Sequence, residues 1–162
     1  MAQVDYFLKI DGVDGESADD KHAKEIELES WNVGAANAGS FSSGGGGGSG
    51  KVAMADFHFV KRTDKSSATL LTACCTGEHF KSATLVCRKA GKDQQEFLTV
   101  VLTSVLVSNF QSGGSASADV LPMDQGSLAF GKIEYKYKAQ KSDGSLDGEV
   151  VGGWDVTTNK KV

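Results

Sequence analysis

From residue 4 onward, apolar and polar residues alternate with a period of two in one segment after another. Only an extended strand turns that spacing into one dry face and one wet face. Val4, Tyr6, Leu8 and Ile10 share a face, with Asp5 and Lys9 opposite. The cluster Asp11-Gly12-Val13-Asp14-Gly15 reads as a turn. A second strand starts at Glu25, with Ile26 and Leu28 opposed to Glu27 and Glu29. At Ser30 the phase slips, because Trp31 and Val33 take the odd positions, and the slip predicts a bulge at Glu29-Ser30. Ala55, Phe57 and Phe59 then face away from Asp56 and His58.

The pattern continues through Ala83-Thr84-Leu85-Val86-Cys87-Arg88. From Glu96 to Phe110 both faces are apolar, so this strand is central or lies against a helix. Leu128 and Phe130 are followed by Gly131, after which Ile133, Tyr135 and Tyr137 alternate with charged residues. That second slip, at a glycine, marks another bulge. A last strand is expected around Trp154 and Val156.

One segment departs from this period. Asp64-Lys65-Ser66-Ser67 reads as a helix start, with Asp64 or Ser66 accepting from the first free amides. Leu70, Leu71, Cys74 and Cys75 form a helical stripe, and Gly77 is a natural stop. Seven or eight strands and one helix predict a mainly β fold, an antiparallel two-sheet β-barrel with one flanking α-helix. With 162 residues and 40% hydrophobic content, one domain spanning 1–162 can bury its own core.

Charge and composition narrow the function. A net charge of −4 argues against a nucleic-acid binder. No stretch approaches the ~20 apolar residues of a membrane span, so no membrane insertion is expected. The start, Met-Ala-Gln-Val-Asp-Tyr, has no basic region followed by an apolar run, so no cleaved signal peptide is expected. Cys74, Cys75 and Cys87 are an odd number with two adjacent, which fits buried thiols in a reducing compartment.

The tract Ser42 to Lys51 is rich in glycine and admits three readings: an interdomain linker, a phosphate-cradling loop, or a long arm ordered by a partner. Gly45 to Lys51 spells G-x-x-x-x-G-K, but Val52 stands where Ser or Thr would hold magnesium. Lys51 leads into a strand, not into the helix whose amides would receive phosphate. Asp11, Asp14, Glu16, Asp19 and Asp20 crowd one turn but lack the order of a calcium loop. His22, His58 and His79 sit in no metal-ligand spacing, and Cys74-Cys75 on an apolar stripe reads as packing. No catalytic residue, cofactor or metal is expected. If Trp31 enters the core, Asn32 points outward, since neighbours on a strand face opposite ways.

Val4 to Ile10, Gly15-Glu16-Ser17, Asp20-Lys21-His22 and Glu25-Ile26 up to Trp31 resemble the opening of the haemolysin-coregulated protein (Hcp) family. So do the glycine-rich arm, Phe59-Val60-Lys61 leading to Asp64-Lys65-Ser66-Ser67 and Leu70, and the turn Arg88-Lys89-Ala90-Gly91. The likeness runs nearly end to end. It implies a bacterial type VI secretion component that resembles a phage tail-tube protein and is not an enzyme. Hexameric rings of such a subunit would stack into a tube, inside a contractile sheath on a baseplate and tipped by a spike protein. The rings would carry and chaperone small effector proteins in the lumen. Cytoplasmic synthesis would precede export to the extracellular space or a target cell. No fused effector domain is expected after the barrel.

Within that resemblance, Asn32 is the expected lumen contact. The arm, with Gly39, Ser40, Phe41, Gly44, Gly45, Gly46, Gly47, Gly48 and Lys51, is expected to reach a neighbouring ring or subunit, since a backbone without side chains approaches closely. A monomeric β-barrel adaptor is the rival from the binding class, and a hydrolytic site at His22 or His79 the rival from the enzyme class. Shortening the arm should impair tube formation, seen by negative-stain imaging, more than it lowers the melting temperature; unchanged assembly would remove the arm from the contact.

Overall fold

The computed structural model describes residues 3–38, 51–117 and 121–162. In chain order the elements are β1 (Val4–Ile10), β2 (Ile26–Leu28), β3 (Ser30–Asn37), β4 (Val52–Arg62), α1 (Ser66–Thr76), β5 (His79–Lys89), β6 (Glu96–Gly113), β7 (Met123–Gln140), β8 (Leu146–Asp155) and β9 (Lys160–Lys161). The strands form one antiparallel sheet of order β2-β1-β5-β6-β7-β4-β3, with β8 on β7 and β9 on β8. Its two ends, β2 and β3, are consecutive in the chain, so the sheet curls back toward itself. The Glu29 amide donates to the Val60 carbonyl at 2.8 Å where they meet. The ladder stays open there, and the two expected walls are parts of one continuous sheet.

The phase slip at Glu29-Ser30 is therefore a corner, not a bulge. Up to Leu28 the chain pairs with β1, and from Ser30 it pairs with β4. The bulge lies further on, between Asn32 and Gly34. The slip at Gly131 involves two strands at once. On β6 the buried residues change from Leu98, Val100 and Leu102 to Val105 and Val107, while the register holds at Thr103↔Lys132 and Val105↔Phe130. Between them Ser104 takes φ +56°, and a Cβ on Gly131 would come within 3.3 Å of the Ser104 Cβ. Below this level β7 pairs with β4, above it with β8.

α1 starts where Asp64 accepts from the Ser66 amide at 2.8 Å and the Asp64 amide donates to Ser67 Oγ at 3.0 Å. It stops at Gly77, whose φ of +70° lets its amide return to the Ala73 carbonyl at 3.0 Å. The buried side is Ser66, Leu70 and Ala73, not the stripe of Leu70, Leu71, Cys74 and Cys75. The helix meets mainly β6, so it hides a narrow strip and leaves Leu71 52% exposed. The thiols divide likewise: Cys87 is buried, Cys74 half-buried and Cys75 exposed. Burial pushes the Cys87 thiol up to about 12, against a small opposing hydrogen bond from Trp31. Val156, expected in the last strand, lies in the turn after β8.

The core is apolar, with Leu8, Ile26, Phe57, Phe59, Leu85, Val100, Leu102, Val105 and Leu128 all but inaccessible. One cation is sealed beside it. Lys61, at the inward end of β4, donates to Asp124 Oδ2 at 2.8 Å, Asp64 Oδ1 at 2.9 Å and Ser67 Oγ at 2.9 Å. Lys61 and Asp124 side chains are both 0% exposed. Burial pushes the Asp124 carboxyl up, but donation from Lys61, Ser112, Ser67 and Thr63 outweighs it and holds the group at about 2. A carboxylate lowered this way stabilises the fold above its unfolded value of about 3.9, and that contribution is lost as the pH falls toward 2. Lys61→Met leaves Asp124 buried without its cation and should destabilise the protein by about 3–5 kcal/mol. Urea titration should also show that the variant loses less stability than the parent between pH 4 and pH 2, because the contribution held by the Lys61–Asp124 pair is already gone. Lys61→Met/Asp124→Leu should recover part of the loss at neutral pH; equal losses in both variants would count against the pair.

Candidate functional site

Parity along β4 decides which side chains face out. Phe57, Phe59 and Lys61 point inward, so Asp56, His58, Val60 and Arg62 take the other face. Trp31 packs against the core, stacked on Phe57 at 6.0 Å and edge-on to Tyr6 at 6.5 Å. Asn32, its neighbour, is exposed on the outer face as its position predicts.

Register then assembles a surface from four strands. Asn32 pairs with His58, His58 with Ser127, and Ser127 with Asn109. The next level runs Ser30, Val60, Gln125 and Gln111. These two rows on β3, β4, β7 and β6 carry amides, hydroxyls, one imidazole and the aliphatic Val60, with no carboxylate, lysine or arginine. Ser108 bulges between Val107 and Asn109 and donates to Asp56 Oδ2 at 2.6 Å, closing one end. Between the rows lies an open groove of about 490 Å³ lined by Asn32, His58, Asn109, Gln111, Gln125 and Ser127. Such a face hydrates readily and offers many weak donors and acceptors without a fixed charge. The sequence pointed to Asn32 alone. Asn109, Gln111 and Gln125 were hidden because their facing depends on the Ser108 bulge and on which strands pair.

The groove floor is held from behind. The Phe59 ring lies under Gly126, where a Cβ would come within 2.5 Å of the ring. Lys61 and Asp124 stand opposite each other two pairs further along.

The other expected sites fall elsewhere. Gly39, Ser40, Phe41, Gly44, Gly45, Gly46, Gly47 and Gly48 lie outside the described residues, and Lys51 is exposed just before β4. The acidic turn is tied down by protein groups. Asp19 takes both Arg88 terminal nitrogens, at 3.0 and 2.7 Å, and this pairing with Arg88 holds its carboxyl at about 2. Asp5 accepts from the same guanidinium at 3.1 Å, and Glu16 accepts from the Lys65 amide at 3.0 Å. Arg88 is thus a buried residue near the end of β5, 3% exposed over the Phe7 ring.

His22 is buried too. Its Nδ1 meets Glu25 Oε2 at 2.7 Å, its Nε2 meets Glu96 Oε1 at 2.7 Å, and its ring stacks on Phe7 at 4.3 Å. With both nitrogens engaged, the ring pins the segment before β2 onto the start of β6. His79 opens β5 in an exposed position. Among the described residues no group of three or more His, Cys, Asp or Glu could hold a metal ion. No helix among them is long and apolar enough to cross a membrane.

Residues 7–137 match the family model described as "Type VI secretion system effector, Hcp". The chain is 44% identical over 158 residues to the protein hcp1 of Pseudomonas aeruginosa, covering 96% of this chain and 97% of that one. Its fold is similar to a solved type six secretion system protein at a TM-score of 0.92 and 32% identity, covering 98% and 99% of the two chains. It is also similar to the crystal structure of Hcp1 from Salmonella typhimurium, at 0.83 and 32%, covering 99% and 100%.

Gly126→Ala should destabilise the protein by about 1–3 kcal/mol, because the Phe59 ring has to move out of a packed core. A melting temperature equal to the parent's would show that the ring gives way freely.

Proposed function

The chain belongs to the Hcp family of type VI secretion proteins, and from that premise we propose that it is a structural subunit of the secretion tube. Six copies close into a ring, rings stack into a tube, and the tube leaves the cell within a sheath, on a baseplate and behind a spike protein. The outer face of β3, β4, β7 and β6 lines the lumen, and small effector proteins ride against it. The role is one of assembly and carriage, without turnover. The arm around Gly39 to Lys51 touches the next ring or subunit.

The observation that supports this reading best is the pair of uncharged polar rows headed by Asn32. A lumen wall has to stay wet and grip different cargoes weakly. Fixed charges would favour one sign of cargo and repel the other. Amides and hydroxyls on β3, β7 and β6, with the His58 imidazole on β4, meet both requirements. Ring closure requires each subunit to offer two different patches, since a heterologous contact repeats around the ring.

Native mass spectrometry of the purified protein should find a species of six chains; a single chain at every concentration would favour a monomeric adaptor instead. Asn32→Trp should leave the ring mass unchanged while retention of co-purifying small proteins falls at least tenfold. Retention at the parent's level in Asn32→Trp would exclude this face as the lumen contact.

A further inference from the structure

The sequence contains four Asp-Gly steps, Asp11-Gly12, Asp14-Gly15, Asp143-Gly144 and Asp147-Gly148. Such a step can close on itself, because the glycine nitrogen can attack the aspartate Cγ and make a five-membered imide. Glycine favours the closure, since no Cβ crowds its nitrogen or restricts its backbone. A fold suppresses it wherever the glycine amide is bound elsewhere or the carboxylate is held away. Position therefore decides which step reacts.

Three of the four are held back. The Gly15 amide donates to the Lys24 carbonyl at 2.7 Å. The Gly144 amide donates to the Lys141 carbonyl at 3.0 Å. Asp143 Oδ1 meanwhile accepts from the Ser145 amide at 2.9 Å and the Ser145 hydroxyl at 2.6 Å. Asp11 and Gly12 lie in the turn that the Val13 amide closes on the Ile10 carbonyl at 3.0 Å, with the Asp11 amide fixed on the Ser82 carbonyl at 3.0 Å.

At the fourth step the Gly148 amide donates to Asp147 Oδ1 at 2.7 Å. That oxygen is bonded to the Cγ that the nitrogen would attack, so the two reacting atoms already lie on one side of the residue. The step falls in a bulge. Between Gln140↔Leu146 and Lys138↔Glu149, β7 sets Ala139 alone against Asp147 and Gly148, and neither has a ladder partner to hold it. A Cβ at Gly148 would meet nothing within 4 Å, and the Asp147 side chain is 62% exposed. Lys141 Nζ stands 3.9 Å from the same Oδ1, too far to hold it by a hydrogen bond.

We propose that Asp147-Gly148 is a self-modification site, where the chain closes to an imide and reopens as isoaspartate. The Gly148 nitrogen forms a bond to Asp147 Cγ. The C–OH bond of the protonated carboxyl breaks, and the hydroxyl leaves as water with the amide proton. A second water then adds to either imide carbonyl. Addition at Cγ restores aspartate; addition at the main-chain carbonyl carbon of residue 147 gives isoaspartate, whose backbone runs through the side chain and gains one carbon. Hydroxide leaves only from the protonated carboxyl, so mild acid speeds the closure. The added atom falls inside the bulge, so the pairs on either side keep their register and the hairpin persists. None of this depends on the ring reading above.

The test incubates the full chain in mildly acidic buffer, one sample folded and one in urea. Peptide mapping by mass spectrometry reads isoaspartate at each step. Methyl transfer from S-adenosylmethionine by a protein isoaspartate methyltransferase counts the total. In the folded chain residue 147 should carry about tenfold more isoaspartate than any other step, beside an imide lighter by one water. In urea the four steps should come level within about threefold, since no geometry favours one. Gly148→Ala is sterically free, because the glycine has no positive φ and its new methyl meets no neighbour. Asp147→Glu would need a six-membered ring. Each variant should keep the parent's melting temperature and lower the signal at this step about tenfold. The proposal is overturned by an even spread over the four steps in the folded chain, by the absence of isoaspartate at residue 147, by the same preference in urea, or by either variant reacting as the parent does.

Discussion

The ammonium of Lys61 is the constraint on which the rest of the molecule turns. A cation with no exposed surface has to be met by anions and hydroxyls at hydrogen-bond distance. Here Asp124, Asp64 and Ser67 supply them from β7, from the loop before α1 and from α1 itself. The pairing fixes β4 against β7 at Lys61↔Asp124, and a slip of one residue would put every side chain of β4 on the wrong face. The same contact anchors the start of the helix, since Asp64 also receives the Ser66 amide. Arg88 plays a parallel part at the other side of the barrel. It joins β5 to Asp5 on β1 and to Asp19 in the segment that leads into β2.

These buried charges secure the register of a surface several residues away. With β4 locked to β7, Ser127 and Gln125 stand beside His58 and Val60, and the polar rows line up. Phe59 under Gly126 and Trp31 on Phe57 support those rows from the core side. This outer face owes its polarity to surface side chains and its shape to groups on the core side. Its side chains can then vary without loosening the barrel.

Two surfaces stand out on the sheet. The uncharged rows lie on the outer face of β3, β4, β7 and β6, while Tyr135, Tyr137 and Val150 emerge on the β7–β8 hairpin. Both arise from how one sheet is bent. The exchange of faces at Ser104 and Gly131 sends the lower half of β7 to β4 and the upper half to β8. Without that twist the hairpin's apolar rows would not continue the core's own face.

Residue order alone determined much of this. Period-two alternation set the mainly β character and the inward residues of β1 and β4, because neighbouring side chains on a strand must point opposite ways. The same parity placed Trp31 inward and Asn32 outward, and Gly77 marked the end of α1 since few other residues tolerate φ near +70°. Tertiary structure decided whatever depended on partners distant in the chain. The burial of Lys61 was not legible, because nothing local shows that Asp124 waits 63 residues later. Glu29-Ser30 read as a bulge, because a corner and a bulge shift parity alike and differ only in which strand pairs next. Leu71 and Cys75 read as core, because a helical stripe shows where apolar residues fall but not how wide a strip the sheet will cover. Local geometry is written residue by residue; burial and register belong to pairs, and pairs exist only once the chain has folded.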